Sequence, residues 1–205
     1  MPESSSAFSR VEFLVSAGIT GGLPPPDAPE LAFAGRSNVG KSSAINALTR
    51  RRRLAFFSKT PGRTQTINFF DLGGRGRLVD LPGYGYARVP QAVRAQWDQL
   101  VGGYLEARDS LAGVVVLMDA RRPFTAHDEH LLEWLRAAGR HLLVLLAKCD
   151  KLSRSEREAA LRSARARLVS TDPGAHVLLF SSHSGEGVET ARALLDEWLR
   201  AAREE

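Results

Sequence analysis

Gly35-Arg36-Ser37-Asn38-Val39-Gly40-Lys41-Ser42 fits the pattern G-x-x-x-x-G-K-[ST]. The spacing has a physical basis. Glycines let backbone N–H groups close around phosphate oxygens, and a helix that follows presents its positive end to the same place. Lys41 can then reach the β- and γ-phosphates of a nucleotide, and the Ser42 hydroxyl is placed to ligate Mg²⁺. The flanks agree. Leu31 to Ala34 reads as a short apolar strand ending at Gly35, and Lys41 to Leu48 as a helix. The loop therefore lies at the carboxyl end of a strand, where open α/β folds bind ligands.

Working outward, apolar runs alternate with amphipathic stretches. Thr66 to Leu72 and Arg77 to Leu81 read as a hairpin across Gly73-Gly74-Arg75-Gly76. A helix is expected over Pro90 to Arg108, then strand Gly113–Asp119, helix Ala126–Ala138 and strand His141–Ala147. Helix Ser153–Ser170, strand His176–Phe180 and helix Val188–Ala202 complete the pattern. It predicts a three-layer α/β domain over 30–205: a six-stranded, mostly parallel sheet with one antiparallel strand and helices on both faces. Residues 1–29 read as a partly ordered extension closed by Pro24-Pro25-Pro26 and Pro29, with an edge strand conceivable around Val11 to Val15.

Bulk properties narrow the classes. With 205 residues, 43% hydrophobic and 25% charged, the chain can bury a core, which argues against wholesale disorder. The one cysteine, Cys149, excludes an internal disulfide framework and fits a reducing cytoplasm. Apolar runs such as Val114–Met118 and Leu142–Ala147 are too short to span a bilayer, so no membrane association is expected. The net charge of +5 points weakly to polyanions. Its distribution says more: no acidic residue falls between Glu30 and Asp71, whereas Arg50 to Arg53, Lys59 and Arg63 do.

Further motifs complete a nucleotide site. Asp80-Leu81-Pro82-Gly83 ends a strand; its carboxylate can hold Mg²⁺ through a water, and the Gly83 N–H can meet a γ-phosphate. By itself such a segment is an ordinary turn. Lys148-Cys149-Asp150 follows a strand, after Ala147. Guanine shows two adjacent donors that one carboxylate accepts together, which adenine cannot supply, so Asp150 is the candidate base-selecting group. The Lys148 stem can cover the base. Phe180-Ser181-Ser182 ends the last strand, where backbone N–H groups can meet the guanine carbonyl, although a helix cap is the plainer reading. Thr64, within Gly62-Arg63-Thr64-Gln65-Thr66, can lend Mg²⁺ an oxygen when a γ-phosphate draws the loop in. Thr60 and Thr66 are weaker candidates for that role. Trp97, Trp134 and Trp198 read as core or groove fillers, and His127, His130 and His141 as structural.

Four segments together resemble the EngB (YihA/YsxC) family of bacterial ribosome-assembly GTPases, within the translation-factor-related P-loop GTPases. They are Gly35 to Ser43, Lys59 to Thr66, Asp80-Leu81-Pro82-Gly83-Tyr84-Gly85-Tyr86-Ala87 and Val115 to Asp119. The resemblance implies a Ras-like domain that hydrolyses GTP to GDP, with Lys41, Thr64 and Gly83 nearest the chemistry. It further implies Mg²⁺, a precursor of the large ribosomal subunit and its rRNA as partners, and a requirement for normal cell division and septation. A cytoplasmic monomer without DNA partners is the expectation. Asn38 matches a P-loop asparagine that in related GTPases helps hold K⁺. Two departures stand out. Ala147 replaces the usual Asn or Thr and so lacks a bracing hydrogen bond, and Tyr84 stands where Ras-like proteins carry a water-orienting Gln. Competing readings are a basic rRNA-binding module with secondary hydrolysis and a P-loop ATPase or kinase.

Overall fold

A computed structural model describes residues 7–18, 22–51, 54, 66–85 and 95–204. Alternation along the chain becomes seven strands: β1 (Glu12–Ala17), β2 (Glu30–Gly35), β3 (Ile67–Asp71), β4 (Arg77–Asp80), β5 (Leu111–Asp119), β6 (His141–Ala147) and β7 (His176–Phe180). They form one sheet in the order β1-β3-β4-β2-β5-β6-β7. β2 pairs in parallel with β4 and β5, β5 with β6, and β6 with β7. β3 runs antiparallel to both β4 and β1.

The expected α/β class holds, with a single antiparallel strand, but the sheet has seven strands where six were expected. The seventh is β1, supplied by the segment read as an extension. Phe13 and Leu14 are exposed at 58% and 45%, and the register slips between Phe13 and Val15. A bulged edge strand that buries little shows no clean alternation, which is why its pattern is weak in the sequence.

Among the described residues the helices are α1 (Lys41–Thr49), α2 (Gly103–Ala107), α3 (Ala126–Ala138), α4 (Arg154–Val169) and α5 (Val188–Glu204), with a further helical stretch at 95–97. The long helix expected over 90–108 is described from residue 95, and Asp98–Gly102 is a π-turn leading into α2. α3 and α4 each begin with a capping box, Thr125 with Asp128 and Ser153 with Glu156. These reciprocal bonds satisfy first-turn donors and set the entry of each helix.

Both sheet faces are covered, so the central strands are apolar without alternation. Ile45, Leu48, Leu195 and Trp198 of α1 and α5 pack with Val115 and Leu143 on one face. Tyr104, Leu131, Leu135 and Leu168 of α2, α3 and α4 pack with Val114 and Val144 on the other. Gly113 lets α5 approach β5 closely: a Cβ there would lie 2.5 Å from the Trp198 ring.

At the amino ends of the parallel strands sits a buried ionic cluster. Glu30, fully buried, accepts from Arg108 Nε at 2.9 Å and from the Tyr104 hydroxyl at 2.8 Å, and Arg77 lies 3.6 Å away. Arg108 Nη2 also donates to the Pro24 carbonyl at 2.8 Å, and Arg77 to the Pro25 carbonyl and Asp27. The proline run is thereby tied to the base of the sheet.

Candidate guanine-nucleotide site

The phosphate loop is built by backbone geometry. A Cβ on Gly35 would lie 2.8 Å from Val39 Cγ1 and 3.1 Å from the Leu117 carbonyl, so the turn out of β2 has room for glycine only. Asn38 (φ 62°) and Gly40 (φ 112°) take left-handed conformations. Such turns aim successive N–H groups into a concave anion-binding nest. The first α1 bond runs from the Ala44 N–H to the Gly40 carbonyl at 2.9 Å. The N–H groups of Lys41, Ser42 and Ser43 therefore have no partner within the helix and point past its positive end.

Asp80 ends β4 beside β2, and Lys41 Nζ donates to its Oδ1. Ser42 and Asp80 are 8% and 6% exposed, so the hydroxyl and carboxylate that the sequence assigns to Mg²⁺ lie in a sheltered place. Hydroxyl and carboxylate oxygens are hard donors of the kind Mg²⁺ selects, so the donor set fits the ion. Leu81 donates its N–H to the Phe33 carbonyl at 3.0 Å. Gly83 lies against the phosphate loop, where a Cβ would stand 3.3 Å from Ser37 N.

Tyr84 does not face the phosphates. Its hydroxyl donates to Asp128 Oδ1 at 2.8 Å, its ring meets Trp97 edge-on at 5.7 Å, and it is 6% exposed. Burial, reinforced by the Asp128 carboxylate, raises the phenol well above its ordinary range. The one proton of this neutral hydroxyl is thus committed to a carboxylate. Trp97 in turn donates Nε1–H to the Pro82 carbonyl at 2.8 Å.

At the other end of the pocket, Asp119, Ala147 and Phe180 stand in register across β5, β6 and β7. Lys148 follows in a left-handed conformation (φ 60°) and opens a single 3₁₀ turn, Cys149–Lys151. Asp150 Oδ1 accepts from Ser181 Oγ at 2.7 Å, and that hydroxyl accepts the N–H groups of His183 and Ser184 at 3.2 and 3.1 Å. The Ser181 hydroxyl holds the Asp150 carboxyl below its usual range. Ser182 is exposed, whereas Cys149 is fully buried. Burial first, then Glu186, pushes the Cys149 thiol up to about 11.

The fold thus gathers Gly35 to Ser42, Asp80 to Gly83, Ala147 to Asp150 and Phe180 to Ser182 at the carboxyl ends of the strands. Gly62, Arg63, Thr64 and Gln65 lie outside the described residues, as do Thr60, Arg52 and Arg53. Thr66 is half-buried just before β3, its hydroxyl 3.4 Å from Asn68 Oδ1.

One residue of the pocket was not assigned a role from the sequence. Asp119 accepts the Lys148 ammonium at 3.2 Å and a two-pronged contact from Arg121 Nε and Nη2, at 2.8 and 2.7 Å. The available signal was an acid ending an apolar strand with an arginine two positions on.

Comparison with known proteins agrees with this geometry. The family described as 50S ribosome-binding GTPase matches residues 30–148. A probable GTP-binding protein EngB of Aromatoleum aromaticum is 51% identical over 192 residues, covering 94% of this chain and 89% of its own. One from Thiobacillus denitrificans is 52% identical over 192 residues, covering 94% and 92%. Among solved structures, a probable GTP-binding protein engB superposes with a TM-score of 0.68 at 21% identity, over 84% of this chain and 99% of its own. Era in complex with MgGDPNP and a fragment of 16S ribosomal RNA shares the fold, with a TM-score of 0.64 at 16% identity, over 83% of this chain and 56% of its own. With a phosphate loop at the end of β2 and a carboxylate braced by Ser181 after β6, this chain belongs to the EngB family of P-loop GTP-binding proteins.

Proposed function

We propose that the chain binds Mg²⁺-GTP, hydrolyses it slowly on its own, and uses the change of state to engage and leave a precursor of the large ribosomal subunit in the cytoplasm. The observation carrying the nucleotide reading is the Asp150 carboxylate, oriented by the Ser181 hydroxyl at 2.7 Å. Main-chain N–H groups at the start of α1 bind the phosphates, and Lys41 turns from Asp80 toward the β- and γ-oxygens. Ser42, and Asp80 through a water, hold the metal, which neutralises charge on those oxygens.

Slow turnover is supported by Tyr84, which stands where a water-orienting Gln would be and commits its hydroxyl proton to Asp128. A partner, or K⁺ held with help from Asn38, supplies the missing charge stabilisation. Thr64 and Gly83 read the γ-phosphate, so the loops spanning 51–66 and 83–95 switch with it. A requirement for normal division and septation is part of the same reading, carried by the family resemblance alone.

The rRNA contact is assigned to the basic segment 50–53. Arg50 is 75% exposed and meets Glu189 at 3.3 Å, a surface pair that rRNA phosphates can displace. The test is sedimentation of cell extract through sucrose with GDP or a non-hydrolysable GTP analogue. Co-migration with large-subunit particles in the GTP-analogue state alone supports the reading. Equal migration in both states, or none, refutes it.

A further inference from the structure

The loop after β6 is tied by a bridge to Asp119, a residue outside the nucleotide motifs. Lys148 Nζ donates to the main-chain carbonyl of Asn38 at 2.8 Å and to Asp119 Oδ2 at 3.2 Å. One ammonium thus joins β5, the end of β6 and the phosphate loop. Asp119 is itself held: Arg121 grips both carboxylate oxygens, and its backbone N–H adds a third bond at 3.1 Å. Two parallel N–H···O bonds fix the orientation of the carboxylate as well as its position.

A lysine stem has four rotatable bonds and leaves the plane of a base readily unless its ammonium is tied down. Ala147, immediately before it, has only a methyl group with which to brace the turn. We propose that Asp119 is a positioning residue for guanine-nucleotide binding: the Arg121-held carboxylate pins the Lys148 ammonium beside the Asn38 carbonyl, leaving the methylene stem as a platform for the purine. This rests on the reading that the pocket takes a guanine nucleotide. The pair is partly exposed, Lys148 at 34% and Asp119 at 22%, so the effect is moderate.

The experiment is a double-mutant cycle on the full chain, titrating Mg²⁺-GDP by calorimetry into wild type, D119N, K148M and D119N/K148M. D119N is expected to weaken GDP by about five- to tenfold with lysine present, and by less than twofold once Lys148 is methionine. An Asp119 that only supported the fold would cost the same in both backgrounds, and that outcome overturns the proposal. R121M, which frees the carboxylate but keeps it, gives a smaller loss of the same kind and decides the matter should D119N not fold. A wild-type chain that ignores GDP would sink the nucleotide reading itself. A wild-type chain that binds while D119N binds equally well sinks this proposal alone.

Discussion

Asp150 shows what one side chain can decide. A carboxylate accepting two guanine donors makes charge-assisted bonds worth about 1.5–3 kcal/mol together with their geometry, so Asp150→Ala should weaken GDP by at least tenfold. Competition between GTP and ATP for a labelled nucleotide should show the preference for guanine largely erased. The pH dependence has a definite sign. Ser181 lowers the Asp150 pKa, so the ionised form persists above the ordinary carboxyl range and is lost only as pH falls below it. Between pH 8 and 5 the Asp150→Ala variant should therefore show the same pH profile for GDP by calorimetry as the wild type, because Asp150 stays ionised throughout. Cys149 goes the other way: its pKa of about 11, against 9.0 for a free thiol, leaves about a hundredfold less thiolate at pH 8. A disulfide reagent should react with the native chain far more slowly than with the chain in urea, and equal rates would contradict the burial.

At the scale of elements, the joints between strands and helices carry more stability than their length suggests. Gly187 enters α5 at φ 77°, and a Cβ there would lie 2.1 Å from the Leu179 carbonyl of β7. Neither the dihedral nor the neighbouring backbone can yield cheaply. Gly187→Ala should cost about 3 kcal/mol, lowering Tm by about 6–12 °C in a calorimetric scan. The Tyr84–Asp128 bond joins the segment after β4 to the first turn of α3, with the Trp97–Pro82 bond beside it. Because Pro82 adjoins Gly83, the emission of Trp97 should differ between GDP and a GTP analogue. Trp97→Phe in a chain retaining Trp134 and Trp198 should abolish that difference.

Across the whole molecule, the two ends of the parallel strands divide the work. The carboxyl ends carry the candidate nucleotide site, and the amino ends hold Glu30, Arg77, Arg108 and Tyr104 in a buried cluster that also anchors the prolines. Removing one member leaves an unpaired buried charge, so Glu30→Ala should cost about 3–5 kcal/mol in a urea titration. Arg50→Glu, on the exposed surface far from that cluster, should leave stability nearly unchanged.

The nucleotide site was legible because its chemistry is local. Gly35, Gly40, Lys41 and Ser42 must be consecutive for a backbone to wrap phosphate, and β5 and β6 announce themselves as unbroken apolar runs because both of their faces are buried. The amino-acid sequence by itself determined the α/β class and the phosphate loop, and it marked Asp150 as the candidate for the base. The tertiary structure alone decided that Glu12–Ala17 adds a seventh strand, that Tyr84 turns to Asp128, and that Asp119 reaches Lys148. Those contacts join residues 29 to 59 positions apart, as in Asp119–Lys148 and Glu12–Asp71. No periodicity encodes such pairings; they arise when packing brings strand ends and edges together.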